Sequence, residues 1–234
     1  MLKLRALCFK FCFYGLTIVF LPLFLPTLLL PAASARKFYR AWCQTVLFLL
    51  KILCGIKIKV TGRQHLPQSG TSYIIASAHQ SALETLLYNL LFPDCCFVLK
   101  QELVKIPIFG WYLQKAGNIQ VDRDAGTKAL RHMQEASKIA LDKGHPIIIF
   151  PQGTRVAYGD KAPVLPGVSA LYGVGDAPLY PVSLNTGKFW PKRGLNFSAG
   201  EVEIKIHPAI KPDLKRREMM AHLQNCFDEN QVQH

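Results

Sequence analysis

The first 60 residues of this 234-residue chain contain nine Lys or Arg and no Asp or Glu, and residues 11–35 carry no charge at all. An apolar run of about 20 residues is long enough to cross a bilayer as a helix. A second apolar stretch, residues 42–56, contains a single charged residue, Lys51. We therefore expect residues 1–56 to form a membrane-embedded pair of helices, followed by one catalytic domain over residues 57–234.

The prolines at positions 22, 26 and 31 shape this expectation, because each removes a backbone hydrogen-bond donor from a helix. We expect the helix pair to be re-entrant at these prolines. A straight span, a buried core helix and a secretory signal are the alternatives, the last because Ala33-Ser34-Ala35 is typical of a cleavage site. A signal core runs to only about 15 apolar residues, and no polar face interrupts the run, so a membrane segment is favoured.

The positive charge of the chain is concentrated in the same region. Of the 28 Lys and Arg residues, 19 lie beyond residue 60 together with all 15 acidic residues, a net charge of only +4 there. Basic residues beside apolar helices attract anionic lipid head groups, each by about 1 kcal/mol near the surface. A nucleic-acid-binding protein carries its positive charge as a patch on the folded domain. We therefore expect a membrane with anionic lipids as a partner and no nucleic acid.

The seven cysteines do not suggest a metal site. They form no C-x-x-C pair, and no Cys/His group has the spacing of zinc ligands. Buried thiols in a reducing compartment are the simpler interpretation. We expect no bound metal.

The rest of the chain alternates between strand-like and helix-like patterns. Helices are expected over 81–91 and 129–142 and in the polar tail beyond 211, and the strands over 56–60, 73–77, 96–99, 119–121, 146–150, 179–184 and 202–206. Strands that alternate with helices indicate an α/β domain. The apolar, β-branched run at 146–150 is typical of a buried parallel strand.

His79 and Glu84 are the candidate general base and its carboxylate partner. Residues five apart on an ideal helix differ by about 140° and face apart, so His79 must precede the helix if the two are to meet. Ser81 and Glu84 also form a capping box directly before an apolar run, which alone would explain the carboxylate. The two interpretations are compatible, since a capping carboxylate can also hold an imidazole in one tautomer.

Three cations follow predicted strands or turns: Lys100, Arg123 and Arg155. Ligands of open α/β sheets collect at the carboxyl ends of strands, so converging cations there would favour a phosphate. For each one separately, a solvated surface charge is the alternative. Gly153 lies in the strand-to-turn segment 150–155 and permits unusual backbone angles or close approach of a ligand. The chain contains neither a P-loop nor a G-x-S-x-G elbow.

Four segments in order resemble the conserved blocks of the glycerolipid acyltransferases, of the 1-acylglycerol-3-phosphate acyltransferase type. H-Q-S-A-L-E at 79–84 resembles H-x-x-x-x-D, and G-N-I-Q-V-D-R at 117–123 resembles G-x-I-x-V-D-R. F-P-Q-G-T-R at 150–155 resembles F-P-E-G-T-R, and 180–184 loosely resembles an apolar V-P-V strand. The resemblance covers residues 57–210. It implies a mixed, largely parallel sheet flanked by helices.

This sequence departs from the family pattern at two positions. Glu84 replaces Asp, which keeps the carboxylate and lengthens its reach. Gln152 replaces Glu, which keeps an acceptor, loses a charge and fits positioning better than acid–base chemistry. Both departures are typical of a bacterial subgroup.

The resemblance implies a reaction and roles for particular residues. His79 would deprotonate the sn-2 hydroxyl of lysophosphatidic acid, which would attack the thioester of acyl-CoA or acyl-carrier protein and give phosphatidic acid. Glu84 would orient His79. The acceptor phosphate would be bound by Lys100, Arg123, Gly153, Thr154 and Arg155. No cofactor beyond the thioester co-substrate is expected, and the enzyme would lie at the cytoplasmic face of a bacterial inner membrane, anchored by its N-terminal helices.

Two other functions fit the same residues. One is acyl transfer to a different acceptor, such as a lyso-ornithine lipid or another lysophospholipid. The other is a non-catalytic membrane adaptor with a degenerate site.

Overall fold

The computed structural model describes residues 2–67, 71–211 and 213–229. Its helices are α1 Leu2–Leu23, α2 Ala32–Cys54, α3 Leu83–Leu91, α4 Phe109–Lys115, α5 Thr127–Asp142, α6 Thr186–Phe189 and α7 Arg216–Glu229. Its strands are β1 Ile56–Thr61, β2 Ile74–Ser77, β3 Cys96–Lys100, β4 Ile119–Val121, β5 Ile147–Ile149, β6 Leu179–Leu184 and β7 Gly200–Ile206. The predicted strands and the helices over 81–91, 129–142 and the tail are confirmed with small shifts of their ends. Helices α4 and α6 were not predicted.

The seven strands form one sheet in the order β1-β7-β6-β2-β5-β3-β4. Strands β6, β2, β5, β3 and β4 run parallel to one another, whereas β7 is antiparallel to β6 and pairs in parallel with β1. The expected mixed, largely parallel sheet is therefore confirmed. Every residue of β2, β5 and β6 is buried, as expected for central strands covered on both faces.

This topology determines where the chemistry lies. The five parallel strands end at the same edge of the sheet, and the chain leaves that edge at each predicted motif. Residue 79 follows β2, residue 100 ends β3, residue 123 follows β4 and residues 150–155 follow β5. Side chains that are far apart in sequence therefore meet at one edge.

The two N-terminal helices differ in character. Helix α1 has a mean hydropathy of 1.9 over its most apolar window, with only 11% of that window buried. Among the described residues it alone is long and apolar enough to cross a membrane. That residues 1–56 form a membrane-embedded pair of helices stays a prediction. Helix α2 is amphipathic: Cys43, Val46, Leu50 and Cys54 are buried at helical spacing in the core that it shares with the sheet.

The prolines lie where α1 gives way to α2. Helix α1 contains Pro22 in its last turn, a short 3₁₀ turn spans Leu25–Leu29, and Pro31 directly precedes α2. The chain thus reverses at the prolines and α1 packs against α2.

Gly62, directly after β1, offers a test of the contact between β1 and β7. It has φ +80°, and a Cβ there would lie 1.9 Å from the carbonyl oxygen of Ile206 in β7. Gly144, between α5 and β5, has φ +81° with nothing within 4 Å of a Cβ. We expect Gly62→Ala to lower the free energy of unfolding by about 2–4 kcal/mol and Gly144→Ala by about 1 kcal/mol. Thermal unfolding in detergent measures both, and equal losses would contradict the described β1–β7 contact.

Candidate active site

His79 lies at the carboxyl edge of the sheet, between β2 and α3. Its ring stacks on Phe150, with the ring centroids 4.0 Å apart and an interplanar angle of 18°. Phe150 directly follows β5, the strand that pairs with β2 through Ile74–Ile147 and Ile75–Ile148. The register of two central strands therefore places the aromatic ring under the imidazole.

Glu84 fixes the turn that carries His79. Its carboxylate is fully buried and accepts hydrogen bonds from the backbone N–H of Gln80 at 2.8 Å and of Ser81 at 2.9 and 3.1 Å. The hydroxyl of Thr186, in the first turn of α6, donates to the same carboxylate at 2.6 Å. Ser81 Oγ accepts from the backbone N–H of Leu83 at 3.2 Å, two residues on, so of the predicted capping box the structure has the half in which Glu84 accepts from the backbone of Ser81. The carboxylate thus joins the β2–α3 turn to the end of β6.

Gln152 positions His79 from the opposite side. Its Oε1 accepts a hydrogen bond from the backbone N–H of His79 at 3.1 Å, and the side chain is buried. The backbone N–H of Val156 donates to the carbonyl oxygen of His79 at 2.8 Å. Both backbone groups of His79 are therefore held by the 150–156 segment. An amide oxygen is sufficient for this contact, which is in keeping with Gln at this position.

The surroundings of His79 favour a neutral imidazole. Burial, followed by the positive charges of Arg155 and Lys192, lowers the pKa of His79 from 6.5 to about 3. Burial raises the pKa of Glu84 to about 7, against the opposing effect of the hydrogen bonds from Thr186, Gln80 and Ser81. A base that is unprotonated at neutral pH can accept a proton from a substrate.

The predicted pairing of Glu84 with the imidazole stays a prediction. His79 Nδ1 is buried and has no hydrogen-bond partner among the residues that the structure describes. The Glu84 oxygens are occupied by the backbone of the turn and by Thr186. In this structure Glu84 therefore acts on His79 through the backbone of the turn.

A groove of about 510 Å³ opens beside His79 and contains most of the predicted site. Six of the eight predicted site residues line it: His79, Lys100, Arg123, Gly153, Thr154 and Arg155. Glu84 and Gln152 lie behind His79 and do not line the groove. We call Lys100, Arg123 and Arg155 the cationic rim. The remaining lining is mostly apolar and includes Phe97, Leu99, Leu103, Phe109 and Leu113.

Arg123 and Gly153 are in contact at this rim. Arg123 Nη1 donates to the carbonyl oxygen of Gly153 at 2.8 Å. Gly153 has φ +71°, and a Cβ there would lie 3.0 Å from Arg123 Nη1. A guanidinium carries five N–H donors, so this bond leaves others for a ligand. Arg123 therefore supports the 150–155 turn as well as contributing charge.

Two residues outside the predicted set also contribute. Thr186 binds the Glu84 carboxylate, and Lys192 Nζ donates to the carbonyl oxygen of Arg155 at 2.9 Å. Thr186 could have been found from the sequence, because it follows a predicted strand at the same edge of the sheet. No sequence signal distinguishes Lys192 from other surface lysines.

The prediction that no metal takes part is not tested by these observations. Among the described residues, no group of three or more His, Cys, Asp or Glu side chains is arranged to hold a metal ion.

The chain is similar in sequence to known acyltransferases. Residues 57–185 match the sequence model of the acyltransferase family. The 1-acyl-sn-glycerol-3-phosphate acyltransferase of Pseudomonas aeruginosa is 32% identical over 183 residues, covering 78% of this chain and 70% of the relative. The human 1-acyl-sn-glycerol-3-phosphate acyltransferase alpha is 29% identical over 211 residues, covering 86% and 71%.

A solved structure shows the same fold. The crystal structure of the 1-acyl-sn-glycerophosphate (LPA) acyltransferase, PlsC, from Thermotoga maritima aligns with a TM-score of 0.77. The alignment covers 100% of this chain and 99% of that chain at 23% sequence identity.

Gln152 provides the test of how His79 is held. We expect Gln152→Leu to lower the free energy of unfolding by about 1–3 kcal/mol, because it leaves the backbone N–H of His79 without its acceptor. Gln152→Glu keeps an acceptor and is the matched control, with an expected change below about 1 kcal/mol at low pH, where the new carboxyl is protonated. Denaturant titration in detergent measures both. If Gln152→Leu were as stable as the wild type, the Gln152–His79 contact would not hold the turn.

Proposed function

Because this chain belongs to the acyltransferase family, as the motifs predicted, we propose that it transfers a fatty acyl group to the sn-2 hydroxyl of 1-acylglycerol-3-phosphate. The product is phosphatidic acid, a precursor for phospholipid synthesis. The acyl donor is a thioester, either acyl-CoA or acyl-carrier protein, and no further cofactor takes part. The observation that carries the proposal is that His79 lies in one groove with the three cations of the rim.

The proton path follows from which nitrogen of His79 is accessible. Nδ1 is buried, so Nε2 is the nitrogen that accepts the proton of the sn-2 hydroxyl. The hydroxyl oxygen attacks the thioester carbonyl carbon, and a tetrahedral intermediate forms. Its collapse breaks the carbon–sulfur bond, and the imidazolium returns the proton to the leaving thiolate. His79 ends neutral, so the cycle is balanced.

The surroundings of His79 oppose the imidazolium, which is formed only transiently. The pKa of His79 is lowered by burial and by Arg155 and Lys192. A phosphate monoester carries a charge of about −1.5 to −2 near pH 7, and when bound at the rim it would offset the effect of Arg155 and of the nearby Lys192 on His79. Substrate binding would therefore raise the basicity of His79 when the proton has to be accepted.

The cationic rim is suited to the phosphate of the acceptor. Arg123 and Arg155 present planar guanidinium groups, which match phosphate oxygens in pairs, and Lys100 adds a point charge. Thr154 adds a hydroxyl beside Arg155 at the same groove. These groups would hold the glycerol backbone so that its sn-2 hydroxyl faces His79.

The apolar half of the groove is suited to an acyl chain. It shares Tyr39 and Phe109 with a smaller apolar pocket between α1, α2 and α4. That pocket is also lined by Phe20, Phe38 and Trp42. A fatty chain could therefore run from the reacting carbonyl toward the N-terminal helices.

Membrane association follows from α1, which exposes large apolar side chains such as Phe11, Ile18 and Leu23. We propose that the N-terminal helices anchor the enzyme at the cytoplasmic face of a bacterial inner membrane. Basic residues of this region, such as Lys37 and Arg40, would contact anionic lipids. Nucleic acid is not a proposed partner.

The reaction is tested by acyl transfer from labelled oleoyl-CoA to lysophosphatidic acid in detergent. We expect His79→Ala to lower kcat by about 10²–10⁴-fold, because the base is lost. Arg155→Ala should raise KM for lysophosphatidic acid about tenfold and leave KM for oleoyl-CoA close to the wild-type value. Arg131→Ala is the matched control, since this arginine is exposed on α5 and pairs with Glu135 outside the groove.

Other outcomes would select the alternatives. Wild-type turnover of a zwitterionic lysophospholipid or a lyso-ornithine lipid, but not of lysophosphatidic acid, would assign another acceptor. Lipid binding without turnover of any acceptor, with either CoA or carrier-protein thioesters, would indicate a non-catalytic adaptor. Equal rates for the wild type and His79→Ala would refute the mechanism.

A further inference from the structure

The loop at residues 191–194, which follows α6, lies against the turn that carries Arg155. Lys192 Nζ donates to the carbonyl oxygen of Arg155 at 2.9 Å and to Thr154 Oγ1 at 3.3 Å. Lys192 lies 37 residues beyond Arg155 in the chain, outside all four motif segments. The two contacts tie together parts of the chain that sequence alone does not connect.

These contacts affect the chemistry of the phosphate-binding turn. Because Thr154 Oγ1 accepts a hydrogen bond from Lys192, its own O–H is free to donate to another acceptor. Because the carbonyl oxygen of Arg155 is held, the backbone from which the guanidinium extends is restrained. An ammonium has three donors, so one of those on Lys192 also remains available.

The positive charge of Lys192 acts within the active site. Together with Arg155 it is a cause of the lowered pKa of His79. The field of Lys192 therefore reaches the groove in which the acceptor phosphate is proposed to bind. A negative phosphate there would be attracted by this charge.

The other side of the same loop is held by α1. Lys10 Nζ donates to the carbonyl oxygen of Gly194 at 2.6 Å. The ring of Trp190, directly before the loop, packs edge-on against Phe9 and Phe13, with centroid distances of 5.2 and 6.0 Å. The loop thus lies between the apolar N-terminal helix and the turn that carries Thr154 and Arg155.

We propose that Lys192 is a positioning residue for the acceptor-phosphate site, acting on Thr154 and Arg155, and that α1 holds it in place through Lys10 and Trp190. The proposal rests on the function proposed above, since it concerns the same phosphate. It makes the membrane helix a structural support of the phosphate-binding turn as well as an anchor.

The test compares Lys192→Ala and Lys192→Arg with Arg193→Ala, which removes the neighbouring exposed cation. Arg193 has no hydrogen bond or ion pair with the described part of the chain. Two quantities are measured in detergent: the Kd of lysophosphatidic acid against that of phosphate-free monoacylglycerol, and the KM of each substrate in acyl transfer. We expect Lys192→Ala to raise Kd and KM for lysophosphatidic acid about fivefold, with monoacylglycerol binding and KM for oleoyl-CoA unchanged.

Lys192→Arg should return the Kd of lysophosphatidic acid to within about twofold of the wild-type value, since it keeps the charge and donors. Arg193→Ala should leave it unchanged. A wild-type Kd in Lys192→Ala would overturn the proposal. So would equal losses for both lipids, which would indicate a general structural role.

The same measurement tests the contribution of α1. Lys10→Ala should weaken lysophosphatidic acid binding about twofold, with Lys3→Ala, on the same helix, as the matched control. Unchanged binding in Lys10→Ala would overturn this part of the proposal. Because Kd is measured without turnover, an inactive wild type would refute the proposed function, while the Lys192 comparison would still support or overturn the positioning role.

Discussion

The fully buried carboxylate of Glu84 is the constraint on which the active site depends. A buried charge is costly unless it is hydrogen-bonded, and this one accepts bonds from two backbone N–H groups and one hydroxyl. Those donors belong to the β2–α3 turn and to Thr186 after β6. The carboxylate therefore joins the ends of two adjacent strands, β2 and β6. His79 lies in the β2–α3 turn that this carboxylate holds in place. Breaking this network would leave a buried acceptor unpaired and the turn that carries His79, the proposed base, unsupported.

The sheet topology supplies the remaining geometry. Five parallel strands end at one edge, and each of their exits contributes one part of the site. His79, the proposed base, follows β2; Phe150 and the turn proposed to bind phosphate follow β5; and the rim cations lie at the end of β3 and after β4. The arrangement of the candidate site is thus a consequence of strand direction, and the side chains are positioned by the backbone of a buried sheet. Strand β7, antiparallel to β6, and the outer strand β1 extend the sheet sideways beyond β6.

Much of the fold and site could be predicted because their signals are local. Apolar β-branched runs indicate buried strands, and the motif residues directly follow them, so His79, Lys100, Arg123 and Arg155 were expected at one edge and lie in one groove. Lys192 could not be found this way, because its contacts with Thr154 and Arg155 depend on how the loop after α6 folds. Helix α4 was missed since it begins after Ile108, which has φ +63° that no local pattern predicts. The amphipathic character of α2 was missed because its polar residues are few.

The central claim is that His79 is held as a neutral base by a turn that Glu84 and Gln152 fix. Ring-nitrogen NMR of histidine-labelled protein in detergent tests it directly, with His79→Asn used to assign the His79 signal among the seven histidines. The account predicts one neutral tautomer from about pH 4.5 to about pH 8, because burial, Arg155 and Lys192 lower the pKa of His79. A His79 titration with a midpoint near the ordinary value of about 6.5 would contradict it.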